Sequence, residues 1–163
     1  MPAVNNVTRL LDSRRIAYQA FEVPASKLGA LETAWLLGVP AERVFKTIVV
    51  TRPRPGKPIL AVIPCPALVD LKALAAGLGE KRVQLPTERE AERLTGLQAG
   101  GISPLALLNR GFEVVIDSSA QSQGEIHISG GQRGLNLRIA ATDLATLTLA
   151  RFLPIAGPDA GGE

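Results

Sequence analysis

Apolar positions at Val4, Val7, Leu10 and Leu11 recur at helical spacing, which predicts an amphipathic helix over residues 3–14 with one face on the core. A short strand follows around Ala17 to Glu22, then a loop from Pro24 to Leu28. Leu31, Ala34, Trp35 and Leu37 suggest a second helix that ends at Gly38, and they place Trp35 in the core. The β-rich runs Val44 to Thr51 and Pro58 to Ile63 flank a Pro/Gly-rich turn, the pattern of an antiparallel hairpin. Asp70 is an N-cap for a helix carrying Leu71, Leu74, Ala75 and Leu78, stopped by Gly79. Lys81 to Leu85 reads as a strand, and Thr87 to Thr95 as a short helix opened by Thr87-x-x-Glu90 and stopped at Gly96. Three further strands are expected at Phe112 to Ile116, Glu125 to Ile128 and Leu135 to Ile139, with a terminal helix over Asp143 to Leu149.

Helical and strand periods interleave here without a fixed repeat and without the regular βαβ rhythm of a doubly wound sheet. The expected class is therefore α+β: a single domain with a mixed curved sheet or partial barrel and surrounding helices. A length of 163 residues suits one core rather than two. The domain is expected over residues 1–156, with a flexible tail over 157–163, where Gly, Pro and Asp dominate.

Composition narrows the function classes. No apolar run reaches the roughly 18 residues that a membrane span needs, and Met1 to Thr8 lacks the pattern of a signal peptide, so a cytosolic protein is expected. One cysteine, Cys65, cannot form an internal disulfide, and one histidine, His127, cannot complete a zinc site with it. A net charge of +3 permits a polyanionic partner without requiring one. The densest basic group, Arg52, Arg54 and Lys57, falls in the hairpin turn and reads as a solvated tip.

Lys46 is the most informative ionisable residue, because Val44-Phe45-Lys46-Thr47-Ile48-Val49-Val50 sets an ammonium inside an apolar strand. Such a lysine either reaches the sheet edge or meets an anion. Thr47 adds a hydroxyl beside it. In Gly100-Gly101-Ile102-Ser103-Pro104, two glycines let backbone amides approach a ligand while Pro104 stiffens the exit. Ser129-Gly130-Gly131-Gln132-Arg133-Gly134 lies between two strands and offers further amides, with Arg133 available for phosphate. The set of a hydrolytic triad is missing. Cys65, between Pro64 and Pro66, reads as an inert buried thiol, and His127 as a strand histidine on the face opposite Ile126 and Ile128.

Phe45-Lys46-Thr47, Gly100 to Pro104 and Ser129 to Gly134, in this order and spacing, resemble the YbaK family of Cys-tRNA(Pro) deacylases over about Ala3 to Leu147. That family belongs to the prolyl-tRNA-synthetase-associated editing domains. The resemblance implies a barrel-like mixed sheet, no cofactor or metal, and the acceptor end of an aminoacyl-tRNA as the bound partner, with prolyl-tRNA synthetase as a candidate protein partner. Neither DNA nor membrane is implied.

By the same resemblance, Lys46 binds the acceptor-end phosphate, Thr47 sits beside it, Gly100, Gly101, Ile102, Ser103 and Pro104 form the substrate loop, and Ser129 and Gly130 line the pocket. Lys46, Gly101 and Ser129 are the implied catalytic set. Tyr18 falls where the family places an aromatic near the substrate. Leu28 stands where an aromatic is common and Asn136 where an acid is common, departures that bear on amino-acid selectivity. The implied chemistry is attack by the substrate's own cysteine thiol on its ester carbonyl, releasing a thiolactone and free tRNA. An internal nucleophile gains a large effective molarity, so the protein need only clamp and orient. A sister deacylase for alanine or another small amino acid, working through an activated water, and a non-catalytic tRNA- or synthetase-binding module are the alternatives.

Overall fold

The computed structural model describes residues 4–26, 29–53 and 56–157. Helix α1 (Asn6–Ser13) opens on Asn5, whose side-chain oxygen accepts from the Thr8 amide while the Thr8 hydroxyl accepts from the Asn5 amide, a reciprocal cap. Strand β1 (Tyr18–Glu22) leads to α2 (Ala30–Leu37) and a 3₁₀ turn, Ala41–Arg43. The hairpin follows as β2 (Phe45–Val50) and β3 (Ile59–Pro64), paired antiparallel with Lys46 opposite Ile63. Next come β4 (Leu68–Val69), α3 (Leu71–Leu78) and α4 (Glu88–Thr95), capped by Asp70 and Thr87 and stopped by Gly79 and Gly96 as their sequences dictate. A 3₁₀ helix, Pro104–Leu107, precedes β5 (Glu113–Asp117), α5 (Ser119–Gln123), β6 (Glu125–Ser129), β7 (Leu135–Ala140), α6 (Ala141–Thr148), β8 (Arg151–Leu153) and β9 (Ala156–Gly157).

The strands make an antiparallel sheet in the order β1-β7-β6 and a mixed sheet in the order β2-β3-β5-β8, in which β3–β5 and β5–β8 are parallel. A parallel bridge between Val44 and His127 joins β6 to the start of β2. The expected mixed, curved sheet with helices outside is therefore the observed architecture.

Its core sits between the sheets. Ile126, Ile128, Leu135, Leu137 and Ile139 meet Leu60, Val62, Val114 and Ile116 there, together with Val7 and Leu11 of α1. On the other side of β3, Ile59, Ala61 and Ile63 pack with Val115 and with Leu74 and Ala75 of α3. Strand β3 is buried on both faces, which is why it reads as an unbroken apolar run rather than an alternating one. Each fully buried Leu or Ile contributes about 1.5–3 kcal/mol, so this strand anchors both halves of the core.

Several local expectations change. Trp35 is 81% exposed, because α2 buries only Ala34, against a small cluster with Val44 and Cys65 that is too narrow to cover an indole. Residues Lys81 to Leu85 form no strand; a bridge between Gln84 and Thr51 is their whole share of the pairing. Arg52 is not a solvated tip residue: its guanidinium donates to Glu80 at 3.1 Å and Glu113 at 2.9 Å with its side chain 9% exposed. Lys57 lies over the Phe112 ring. Gly157, where the tail was expected to begin, pairs with Leu68. Leu28, Arg54 and the tail from residue 158 lie outside the described residues.

Candidate active site

The bridge between Val44 and His127 is isolated, and β2, the edge strand of its sheet, borders a cavity of about 410 Å³. Its wall comes from Val44 to Val49 along β2, Ala30 and Thr33 of α2, Glu88 and Ala91 of α4, Ala99, Gly100 and Ile102 of one loop, and Ser129, Arg133, Gly134 and Asn136 of another. Lys46, Thr47, Gly100, Ile102, Ser129, Arg133 and Asn136 thus meet in one cavity although they span most of the chain.

Lys46 is half-buried, and burial pulls its pKa down, opposed in part by Cys65. Among the described residues no carboxylate pairs with it. A desolvated ammonium with no carboxylate paired to it among the described residues is the arrangement that an anionic ligand would stabilise. Arg133 adds a second cation, held in place because its Nε donates to the Ala99 carbonyl at 2.7 Å.

The two loops are braced against each other and against the body. The Ala99 amide donates to Glu92 at 2.7 Å, and the Gly101 amide to the Gln98 carbonyl at 2.8 Å. Asn5, besides capping α1, donates its amide to the Gly130 carbonyl at 2.9 Å and to Gln132 at 3.0 Å. The Ser129 hydroxyl accepts from the Gly131 amide at 3.2 Å. Such bracing fixes the polar groups before any ligand arrives.

Gly101 is where sequence reasoning assigned the right residue a different cause. A Cβ there would fall 3.1 Å from the Gln132 Cα and 3.2 Å from the Arg133 nitrogen, so the close backbone approach is between the two loops. Gly130 is similar, since a Cβ would sit 2.5 Å from Leu135 Cγ. Ser103 is fully buried, and its hydroxyl caps the following 3₁₀ turn by accepting from the Leu105 amide at 3.2 Å, with Pro104 buried behind it. These four residues support the cavity rather than line it.

Tyr18 lies apart, at the end of β1 remote from Val23, and its hydroxyl donates to Asp12 at 2.9 Å. Sequence reasoning missed Glu88, Thr33 and Ser26 as wall residues. Glu88 carried a signal only as part of a helix start, and nothing in the pattern of α2 tells which side meets the cavity.

His127 and Cys65, the chain's one imidazole and one thiol, are both buried and both outside the cavity wall. The Cys65 thiol donates to the Ala41 carbonyl at 3.1 Å, and burial pushes its pKa up, partly offset by Lys46. His127 faces away from Ile126 and Ile128, as alternation requires, and its Nδ1 stands 2.8 Å from the Asn136 side-chain oxygen. The cavity therefore offers cations, hydroxyls, an amide and the Glu88 carboxylate, but no thiolate or imidazole. Among the described residues no three His, Cys, Asp or Glu side chains converge as metal ligands would.

The profile of the aminoacyl-tRNA editing domain matches residues 25–147, a stretch that contains all the lining residues except Val23 and Pro24. A relative from Enterococcus faecalis, named "Putative Cys-tRNA(Pro)/Cys-tRNA(Cys) deacylase EbsC", is 32% identical over 152 residues, covering 92% of each chain. The crystal structure of a hypothetical protein superposes with a TM-score of 0.85 at 23% identity, over 94% of this chain and 100% of that one. A structure titled as a "putative trans-editing enzyme for prolyl tRNA synthetase" superposes with a TM-score of 0.78 at 22% identity, over 95% and 99% of the two chains. At these identities the two structures speak to the fold.

Proposed function

The chain belongs to the aminoacyl-tRNA editing domain family, and from that premise we propose that it is a trans-editing deacylase that clears cysteine from mischarged tRNA(Pro). Its reaction class is hydrolysis of the ester that links an amino acid to the tRNA terminus. Lys46 and Arg133 hold phosphates of the acceptor end, Ser129 and Asn136 orient the aminoacyl group, and the braced loops keep these groups in register.

One observation carries the substrate assignment: the protein's only thiol and only imidazole lie outside the cavity wall, so the wall brings no strong nucleophile of its own and, apart from the Glu88 carboxylate, no base. Substrate cysteine supplies what is missing. Its thiolate attacks the ester carbonyl, a C–S bond forms, the ester C–O bond breaks, and the terminal ribose oxygen leaves with a proton. The resulting thiolactone opens with water to free cysteine. The protein's contribution is proximity and charge placement, which suffices when the nucleophile is intramolecular.

The test compares purified Cys-tRNA(Pro) with Ser-tRNA(Pro), because serine fits any pocket that admits cysteine but is a far poorer nucleophile at neutral pH. The expected result is much faster release of cysteine, with a thiolactone trapped by an added amine. Equal cleavage of the two, or direct incorporation of solvent oxygen without a trapped intermediate, overturns the thiol mechanism in favour of an activated water. No turnover of either would leave a deacylase for another small amino acid or a binding module. Assays with and without prolyl-tRNA synthetase address whether that enzyme is a partner.

A further inference from the structure

Asn136 orients the aminoacyl group in the scheme above, but its side-chain partner His127 has no role there. They occupy neighbouring antiparallel strands on the face turned from the main core, with Asn136 opposite Ser129 and His127 opposite Arg138. Asn136 is 5% exposed and lines the cavity; His127 is 1% exposed and lies behind it, with the Phe21 ring 5.4 Å away. The His127 Nδ1 meets the Asn136 oxygen at 2.8 Å, while the His127 Nε2 is buried with no hydrogen-bond partner among the described residues.

This geometry decides which end of the amide faces the ligand. A neutral imidazole carries one donor and one acceptor. If Nδ1 carries the proton, it donates to the Asn136 oxygen and leaves an acceptor, Nε2, unpaired. If Nε2 carries the proton, a buried N–H is orphaned and the Asn136 amide must turn its oxygen to the cavity. Buried donors are left unpaired more rarely than acceptors, so the first arrangement is favoured. Burial first, then the Arg138 and Arg43 guanidiniums, keep the ring neutral against the opposing pull of the Asn136 hydrogen bond and Glu125.

Resting on the deacylase assignment, we propose that His127 is a positioning residue: it locks Asn136 so that the amide NH₂ points into the cavity as a donor for the ester carbonyl oxygen of the bound aminoacyl group. The same NH₂ stabilises the negative charge that grows on this oxygen as the thiolate adds. A carboxylate at this position would present only acceptors, whereas the oriented amide presents a donor to the ester carbonyl.

The test has two parts. In uniformly ¹⁵N-labelled, untagged protein the single histidine needs no assignment, and long-range imidazole ¹H–¹⁵N correlations read its tautomer directly. The expected spectrum is a neutral ring protonated at Nδ1 at pH 7; a ring protonated at Nε2, or a charged one, overturns the proposal. In single-turnover deacylation of Cys-tRNA(Pro), His127→Leu is expected to lower the maximal rate by at least about ten-fold with little change in KM, while His127→Asn, which can offer an N–H near the Nδ1 position, recovers most of it. An unchanged rate in a folded His127→Leu also overturns it. Should His127→Leu fail to fold, the wild-type tautomer still decides. If wild-type protein cleaves no mischarged tRNA, the deacylase assignment falls, and the tautomer alone judges the locked pair.

Discussion

Replacing Lys46 by methionine separates binding from folding more cleanly than any other change at this site. Methionine keeps most of the apolar stem that packs along β2 while deleting the ammonium. Burial already disfavours that ammonium in the folded protein, and no carboxylate among the described residues pairs with it. The folded state therefore loses no ion pair and sheds a desolvation cost, so the urea midpoint is expected to stay or rise. The bound state loses one charge-assisted hydrogen bond to phosphate, worth about 1.5–3 kcal/mol, which corresponds to a roughly ten- to hundred-fold fall in kcat/KM. Loss of one phosphate contact also flattens the plot of log kcat/KM against log salt by about 0.7 for a single-stranded end. Deacylation of Cys-tRNA(Pro) across a salt series, with urea unfolding of the same samples, provides both readouts. Wild-type kcat/KM with an unchanged salt slope would remove Lys46 from the phosphate site, and a large loss of stability would make it a structural residue instead.

Gly101→Val should cost activity and stability together, because its Cβ meets the Gln132–Arg133 backbone; overpacking of this kind costs about 1–3 kcal/mol, and retained stability with lost turnover would instead point to direct contact with substrate. Trp35→Ser should change the unfolding free energy by no more than about 0.5 kcal/mol, since the indole is 81% exposed; a larger fall in the urea midpoint would mean that the side chain is packed. His127 imposes an acid sensitivity. Burial lowers its pKa in the folded state, so its stabilising effect is complete above the unfolded value of 6.5 and declines as pH falls below it, at no more than about 1.4 kcal/mol per pH unit. Urea midpoints between pH 7 and pH 5 should drop in the wild type and drop less in His127→Asn; parallel curves would contradict this account.

Local chemistry was sufficient for most of the elements. The caps at Asp70 and Thr87, the stops at Gly38, Gly79 and Gly96 and the β2–β3 hairpin follow from side chains that satisfy or release backbone groups within a few residues. The cavity residues Lys46, Arg133 and Ser129 were singled out in the same way, since a charge in an apolar strand and a glycine-rich connection are visible without a fold and their joint spacing matched a family. Periodicity could not tell whether an apolar helix face would find a partner, so Trp35 was misplaced: α2 covers only the small Ala34, Val44 and Cys65 cluster. It could not foresee that Arg52 meets Glu80 and Glu113, which are remote in sequence, or that Gly101 is required by the neighbouring loop.

The cavity itself is a tertiary product. Its wall joins β2 to two loops and to helices whose sequences carry only their own caps and core positions. The polarity of Asn136 is decided the same way, since the strand register sets which neighbour can bond its oxygen. The sequence determined the elements and the charged and glycine-rich residues available to the site, because those depend on contacts within a few residues. Only the tertiary structure decided which of them face one another, because burial and hydrogen-bond partnership depend on chain segments far apart in sequence.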